Sequence, residues 1–557
     1  LRWKKPEEEG MTDKYIVIIP PPTPNGNLHL GHIAGPFLAG DVFSRFRRAQ
    51  GDEVLYTTGT DDNQSYVVTA AAKKGCDPAE LCRTSTQEIE VALKDMQIEM
   101  DGFAPFDAEY RETCVKFLTE LNDAGKFTWR EREFLVRPNG DALFEAHVKG
   151  KCPICLAGTS GGLCETCGHP NNYAEILDPT CAIDPNERLA RRSHRILVFE
   201  LEKYRERLSR YYEEKRACWR PHICRLMAEL LSKPLPEFPV TYPGSWGIPA
   251  PFRGAEGQVI NAWAEGMPAS MYCTAIAGRN RGMKHGAADE LWKAEHGYRL
   301  VYFLGFDNSY FWGMSHLALL MATDGKYILP ETIVPNEFYE LENEKFSTSK
   351  GHVIWASDLA KEFEIDAIRF HLCWTNPEHH RTNFSRRELV KLLSERLVPL
   401  WASLVENMSE LPPELRGGDR LAVSAEGKAR ALVIQKRLSD CYALATFSLR
   451  DAVNAILMQV ERLEKRSKQL AAQLASHSAG VADTDPGDLW LELQTLLAMG
   501  APVVTAWEAY AAGTVDVGAA ESVEPFRVPE FHLRLDPAIR AEGVRTRNAP
   551  ARAEAAA

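Results

Sequence analysis

The chain lacks any run of about 18 apolar residues, the length that crosses a bilayer as a helix, so a membrane protein is not expected. Its first ten residues, LRWKKPEEEG, carry charge of both signs and no apolar core, which argues against a secretory signal. Positive charge is not in excess: 65 Lys and Arg stand against 77 Asp and Glu, for a net charge of -12. That excludes a uniformly polycationic surface, and DNA packing with it, while leaving room for a local basic groove for RNA. Internal repeats are absent. The thirteen cysteines lack the setting of a secreted disulfide framework, and most read as reduced thiols of a cytoplasmic protein. Four of them crowd together and need another explanation. What is present is an ordinary globular composition, 45% hydrophobic and 25% charged, in 557 residues. That length suggests about three or four domains.

Residues 15–19 (YIVII) form a short β-branched run that ends in prolines and an Asn25-Gly26 turn. A helical stretch is expected from 32 to 50 and a second strand over 54–58, which ends in Gly59-Thr60-Asp61-Asp62. Strand, helix, strand in this order opens a doubly wound, Rossmann-like α/β domain with a parallel sheet. Such sheets bind ligands at the carboxyl ends of their strands. Strand-like runs return at 259–260 and 300–304, the latter followed by Gly305-Phe306-Asp307. Between them the texture changes: cysteine and glycine concentrate over 151–168, and charged helical patterning runs through 191–233. Past 387, apolar periodicity predicts helices over 389–408, 428–474 and 489–512, the pattern of an α-helical bundle.

The strongest local signal is residues 24–32, PNGNLHLGH. A strand leads in, a glycine-bearing turn follows, and a helix begins near the second histidine. Free N–H groups at a helix start suit a polyphosphate, and two imidazoles flanking a glycine add donors without bulk. Far downstream, residues 345–350 read KFSTSK. The two motifs together resemble the paired signatures of class I aminoacyl-tRNA synthetases, and their separation is similar to that of the methionyl type. The family's commonest loop reads K-M-S-K-S, and here Thr348 stands in the place of the second lysine.

The resemblance implies a reaction that joins an amino-acid carboxylate to the α-phosphate of ATP, then passes the acyl group to a tRNA ribose. His29, His32, Lys345, Ser349 and Lys350 are its expected catalytic residues. Asn25, Gly26, Gly31, Gly305 and Asp307 would complete the ATP site with the histidines and lysines, and Mg²⁺ would accompany the triphosphate. Catalysis of this kind is positioning plus stabilisation of charge on phosphate oxygens. The expected division is a catalytic α/β domain in two halves, 14–127 and 239–330, around a connective insertion at 128–238. A linking fold (331–386), a bundle similar to an anticodon-reading domain (387–540) and a flexible tail (541–557) follow.

The crowded cysteines are Cys152-Pro153-Ile154-Cys155 and, eight residues on, Cys164-Glu165-Thr166-Cys167. Paired C-x-x-C knuckles present four thiolates to one tetrahedral Zn²⁺, and four protein ligands leave no position open for water, so the expected role is structural. Cys181 and Asp184 resemble a decayed second knuckle, so one zinc is expected rather than two.

The amino-acid pocket departs most from the family. Asp61 matches the carboxylate that takes the substrate ammonium, and Trp263 with Glu265 resembles a tryptophan-x-acid segment of the side-chain pocket. Where methionyl enzymes usually carry a leucine, two tyrosines and a histidine, this chain has Pro21, Thr23, Ser270 and Trp312. A thioether needs packing surface, and pocket contacts are worth about 1–3 kcal/mol each, so several exchanges together would move specificity. In the helical region Ala402 and Glu406 align with an asparagine and an arginine that read the anticodon, and no A-P-W segment lies near 466–477. Lys465, Arg466 and Lys468 read as a solvated basic face or as contacts to an RNA backbone.

Three readings stay open on the sequence: a ligase of the methionyl type acting on methionine and tRNA; a paralogue activating another amino acid for a non-standard acceptor such as a different tRNA, a carrier protein or a small amine; and a catalytically silent RNA-binding protein. None of them involves DNA or a membrane, and the sequence assigns no oligomeric state.

Overall fold

The computed structural model describes residues 12–171, 175–216, 219–284, 286–346, 351–417, 419–476, 482, 485–509 and 517–529. The run at 15–19 forms β1 (Lys14–Ile18), and the chain then crosses to a helix that starts at Leu30, widens by a π-type turn at Ile33–Phe37 around Pro36, and continues as α1 (Leu38–Ala49). The structure adds β2 (Glu53–Gly59), α2 (Ser65–Lys74), β3 (Gly102–Ala104) and α3 (Ala108–Asp123) before the insertion.

The insertion is built on an antiparallel sheet in which β4 (Phe127–Val136) pairs along its whole length with β5 (Ala190–Glu200). The charged run at 191–200 was expected to be helical and is this strand. Arg191 and Ser193 meet glutamates across the ladder, Arg191 on Glu133 and Ser193 on Glu131, rather than partners one helical turn away. After the insertion come α4 (Ala262–Asn280), β6 (Tyr298–Gly305) and β7 (Pro330–Asn336). The run at 259–260 does not join the main sheet; Gln258–Ile260 pairs in a two-stranded ribbon with Thr241–Pro243.

The main sheet has the order β7-β6-β1-β2-β3, every pair parallel. Alternation along its strands splits the core in two. Tyr15, Val17, Val54, Tyr56, Val301 and Phe303 pack on one face with α1 and the C-terminal helices. Ile16, Ile18, Leu55, Leu300 and Tyr302 pack on the other with α3, α4 and the insertion. Layers on both faces make this the doubly wound fold that the continuous apolar strands predict.

A small sheet follows, with β8 (Tyr339–Leu341) between antiparallel β9 (Glu344–Lys345) and parallel β10 (Thr382–Phe384); α5 (Ile365–Trp374) lies between β9 and β10. The C-terminal helices are α6 (Val398–Ser409), α7 (Ala425–Tyr442), α8 (Leu449–Ala475) and α9 (Asp485–Gly500). The single helix expected over 428–474 is therefore two, and the helix expected to reach 512 ends at Gly500. Residues 541–557 lie outside the described residues. No helix among the described residues is long and apolar enough to cross a membrane.

Candidate active site

The loops leaving β1, β2, β6 and β7 at their carboxyl ends converge on one cavity of about 400 Å³. The segment behind the KFSTSK motif is fastened beside the histidine motif by backbone bonds. Leu30 N–H donates to Ile354 C=O at 3.2 Å, and Ala356 N–H donates to Leu28 C=O at 3.2 Å. Two stretches far apart in sequence are thus neighbours, and Lys345 borders the same cavity as His29 and His32. Ser349 and Lys350 lie outside the described residues.

The two histidines hold each other's backbone. Gly31 N–H donates to His29 Nδ1 at 3.1 Å, and His29 N–H donates to His32 Nδ1 at 3.2 Å. An imidazole nitrogen that accepts is unprotonated, so in each neutral ring the proton sits on Nε2. Burial pushes the His29 imidazole down to about 2, helped by His32 and Lys345, and the His32 imidazole down to about 4. Both are neutral Nε2–H donors on the cavity wall. The rings stack at 3.9 Å, and His29 lies flat on Phe346 at 4.5 Å. Gly31 permits this, because a Cβ there would come within 2.9 Å of His29 Cε1.

Lys345 Nζ forms an ion pair with Glu165, the residue that follows Cys164 in the cysteine knuckle, and lies 5.6 Å from the centre of the Phe338 ring. Gly161, Leu163 and Glu165 of the knuckle form part of the cavity wall. Across from them Asp307, just past β6, is pushed up to about 6, mainly by burial and secondarily by Glu165. Asn25 and Gly26 border the cavity too, as does Gly305.

The remaining wall is the expected amino-acid end, where Pro21, Thr23, Asp61, Trp263 and Trp312 meet. Burial pushes the Asp61 carboxyl up to about 7, and its Oδ2 accepts from Gln64 Nε2 at 2.7 Å. Trp263 stacks on Phe311 at 3.7 Å with the rings 7° from parallel. Ser270 differs from expectation: it is buried, its hydroxyl donates to Gly266 C=O at 2.8 Å, and the cavity-lining positions of α4 are Trp263, Gly266 and Ala269.

Sequence reasoning missed Gln64, Tyr66, Tyr110, Glu165, His316 and Phe338, all on the cavity. His316 lies one turn beyond Trp312. Its Nε2 is 2.6 Å from Trp263 C=O, an acceptor only, so Nε2 carries the proton and donates. Gly266 makes space for that ring, since a Cβ there would lie 2.8 Å from His316 Cε1. The helical period from Trp312 and the short step from Asp61 to Gln64 were signals available in the sequence. Nothing local marks Glu165.

Cys152, Cys155, Cys164 and Cys167 bring four sulfurs within 4.8 Å of one another. Cys152 Sγ to Cys167 Sγ is 3.8 Å and Cys155 Sγ to Cys164 Sγ is 3.6 Å. A tetrahedral Zn²⁺ with bonds of about 2.3 Å needs sulfurs roughly 3.8 Å apart, so this donor set fits zinc.

Comparison with known proteins agrees with this geometry. The family model of class I tRNA synthetases of the M type matches residues 15–409. The chain belongs to this family. Among its relatives, the methionine--tRNA ligase of Cytophaga hutchinsonii is 27% identical over 407 residues, 71% of this chain and 59% of that protein. The Thermomicrobium roseum ligase is 28% identical over 78% of this chain and 75% of its own, and that of Korarchaeum cryptofilum is 28% identical over 80% of each. The chain thus spans less than two thirds of the Cytophaga protein. Among solved structures, Mycobacterium tuberculosis methionyl-tRNA synthetase in complex with methionyl-adenylate superposes with a TM-score of 0.70 at 17% identity. The match covers 93% of this chain and 99% of that one, and shows that this class I synthetase shares its fold.

In the helical region Ala402 and Glu406 are exposed on α6. Arg466 is not part of a free basic face: it joins Arg462 and Arg430 on the buried carboxylate of Glu492.

Proposed function

We propose that the chain is an ATP-dependent methionine--tRNA ligase: it activates methionine as an aminoacyl-adenylate and passes it to a tRNA. The observation that carries this reading is the single cavity shared by the neutral histidine pair, Lys345, Asp307 and Asp61. Relatives named methionine--tRNA ligase support the choice of amino acid and acceptor. Asp61 anchors the ammonium, and the substrate carboxylate attacks the α-phosphorus. The bond to the β-phosphate breaks, pyrophosphate leaves, and a tRNA ribose hydroxyl then displaces AMP from the acyl carbon.

The Nε2–H groups of His29 and His32 donate to phosphate oxygens as negative charge builds there, and neither ring gives up its proton. Lys345 supplies positive charge for the leaving pyrophosphate; Ser349 and Lys350 are the further groups that the family resemblance assigns to this step. The ion pair of Lys345 with Glu165 is half-exposed, a class worth about 0–1 kcal/mol, so exchanging Glu165 for a triphosphate is cheap. Asn25, Gly26, Gly31, Gly305 and Asp307 form the nucleotide's walls. Mg²⁺ would neutralise the triphosphate. Pro21, Thr23, Trp263 and Trp312 enclose the amino-acid side chain, with Ser270 behind them. The reading keeps the division into 14–127, 128–238, 239–330, 331–386 and 387–540 and takes the cytoplasm as the working compartment.

The test is amino-acid-dependent ATP–pyrophosphate exchange across the standard amino acids. Methionine is expected to give the strongest exchange, and no exchange with any of them would sink the reading. The pH profile carries a sign. A carboxyl raised to about 7 is protonated in the free enzyme below that pH, whereas an ammonium binds the carboxylate. The KM for the amino acid is therefore expected to rise toward tenfold per pH unit below about 7, and a flat profile from pH 5.5 to 8 would contradict Asp61 as the anchor.

The four cysteines hold one structural Zn²⁺. Metal analysis should find about one zinc per chain, lost in Cys152→Ser, and a full complement in that variant would count against this ligand set.

A further inference from the structure

Between the end of β2 at Gly59 and the start of α2 at Ser65, the chain makes one turn that presents two side chains to the cavity, Asp61 and Gln64. Gln64 is 1% exposed. It occupies the position before α2, where a side-chain acceptor usually turns back to cap the first N–H groups, yet it makes no cap bond. Its Nε2–H goes instead to Asp61 Oδ2.

That bond fixes the amide. A carboxylate only accepts, so the nitrogen of Gln64 faces Asp61 and the oxygen Oε1 is left as an acceptor. Gln64 Oε1 and Asp61 Oδ1 are both buried and both lack a hydrogen-bond partner among the described residues. Two unmet acceptors on neighbouring side chains are costly in an empty site and are satisfied by a ligand rich in donors. No lysine or arginine among the described residues forms an ion pair with Asp61, so no described cation supplies such donors. A primary ammonium, with three N–H bonds and no lone pair, does.

We propose that Gln64 is a substrate-binding residue: its Oε1 accepts one N–H of the amino acid's α-ammonium while Asp61 Oδ1 accepts another. The inference rests on the amino-acid-activation reading of this cavity and adds a second reader to its anchor. The Asp61–Gln64 bond keeps the two acceptors oriented before the substrate arrives, and it sets which atom of the amide faces the ligand. The pair therefore distinguishes a substrate with an α-ammonium from an otherwise identical acid without one.

The experiment is calorimetric binding to the full chain of L-methionine, 4-(methylthio)butanoate (the same acid without its amine) and ATP, for the wild type, Gln64→Ala and Gln64→Leu. Thermal melting of each variant checks that it folds, and either variant suffices. Methionine is expected to bind about tenfold more weakly in the variants, with the amine-free acid and ATP within twofold of wild type. Unchanged methionine affinity would overturn the proposal. So would an equal loss for the amine-free acid, the mark of a residue that only supports the turn. The activation reading fails separately: wild-type protein that binds methionine with this discrimination yet gives no pyrophosphate exchange leaves Gln64 its role and removes the chemistry.

Discussion

Replacing His32 with alanine is expected to lower amino-acid-dependent pyrophosphate exchange by about two orders of magnitude or more, the effect of losing a donor that meets transition-state charge, worth about 3–4 kcal/mol. The structure makes this substitution harsher than deletion of one donor. His32 Nδ1 also holds the backbone N–H of His29, so the variant frees the neighbouring ring's support. His29→Ala and His32→Ala should therefore be far from additive when combined. Lys345→Ala is expected to cost a similar factor, because a neutral imidazole pair donates hydrogen bonds but adds no charge. Exchange rates at saturating ATP and amino acid check both; wild-type rates in His32→Ala and Lys345→Ala would mean that the phosphates bind elsewhere.

Arg369→Met is expected to be the most damaging substitution for stability, at about 3–5 kcal/mol, the usual cost of breaking a buried ion pair from one side. Arg369 is fully buried on α5 and its guanidinium is saturated. Nη2 donates to Asp41 Oδ2 at 2.6 Å and to Pro502 C=O at 2.9 Å, Nε to Val503 C=O and Nη1 to Met96 and Gln97 C=O, each at 3.2 Å. Methionine fills much of the volume but strips four carbonyls of a donor in a place that water does not reach. Asp41 keeps Arg45 at 2.9 Å, so the loss falls on the carbonyls and on half of the charge network. The measurement is the midpoint of the first urea unfolding step; a shift worth less than about 1 kcal/mol would show that the site relaxes around the methionine.

Much of the fold was legible because its strands are buried on both faces. An apolar run such as 15–19 has few alternatives when prolines and an Asn-Gly turn bound it, and the motif at its end then has a fixed address in a doubly wound sheet. The cysteine knuckle was equally plain, since its spacing states its geometry. What failed was decided by distant side chains. The break between α7 and α8 carries no glycine or proline over 443–448. It is made by Glu378, a buried carboxylate from another segment that takes Ser448 Oγ and the N–H groups of Leu449 and Arg450. No window of local sequence contains that residue. The strand at 190–200 misled for a related reason, because its charges find their partners across a ladder. In the cavity, Asp61, Trp263 and Trp312 followed from motif matching. Ser270 was misdirected because the inward stripe of α4 runs through 263, 266 and 269, and the tautomers of the two histidines required the backbone bonds themselves.

The contact between Lys345 and Glu165 joins the cysteine knuckle to the loop proposed above to meet the nucleotide. Lys345 sits at the rim of the cavity, where its side chain stays largely exposed. Parked on a carboxylate at the rim, it waits in water's reach and close to where it is needed. The cysteine lobe is thus a mooring as well as a brace. Anything that slackens the lobe would loosen the resting tie of the one described lysine in that loop.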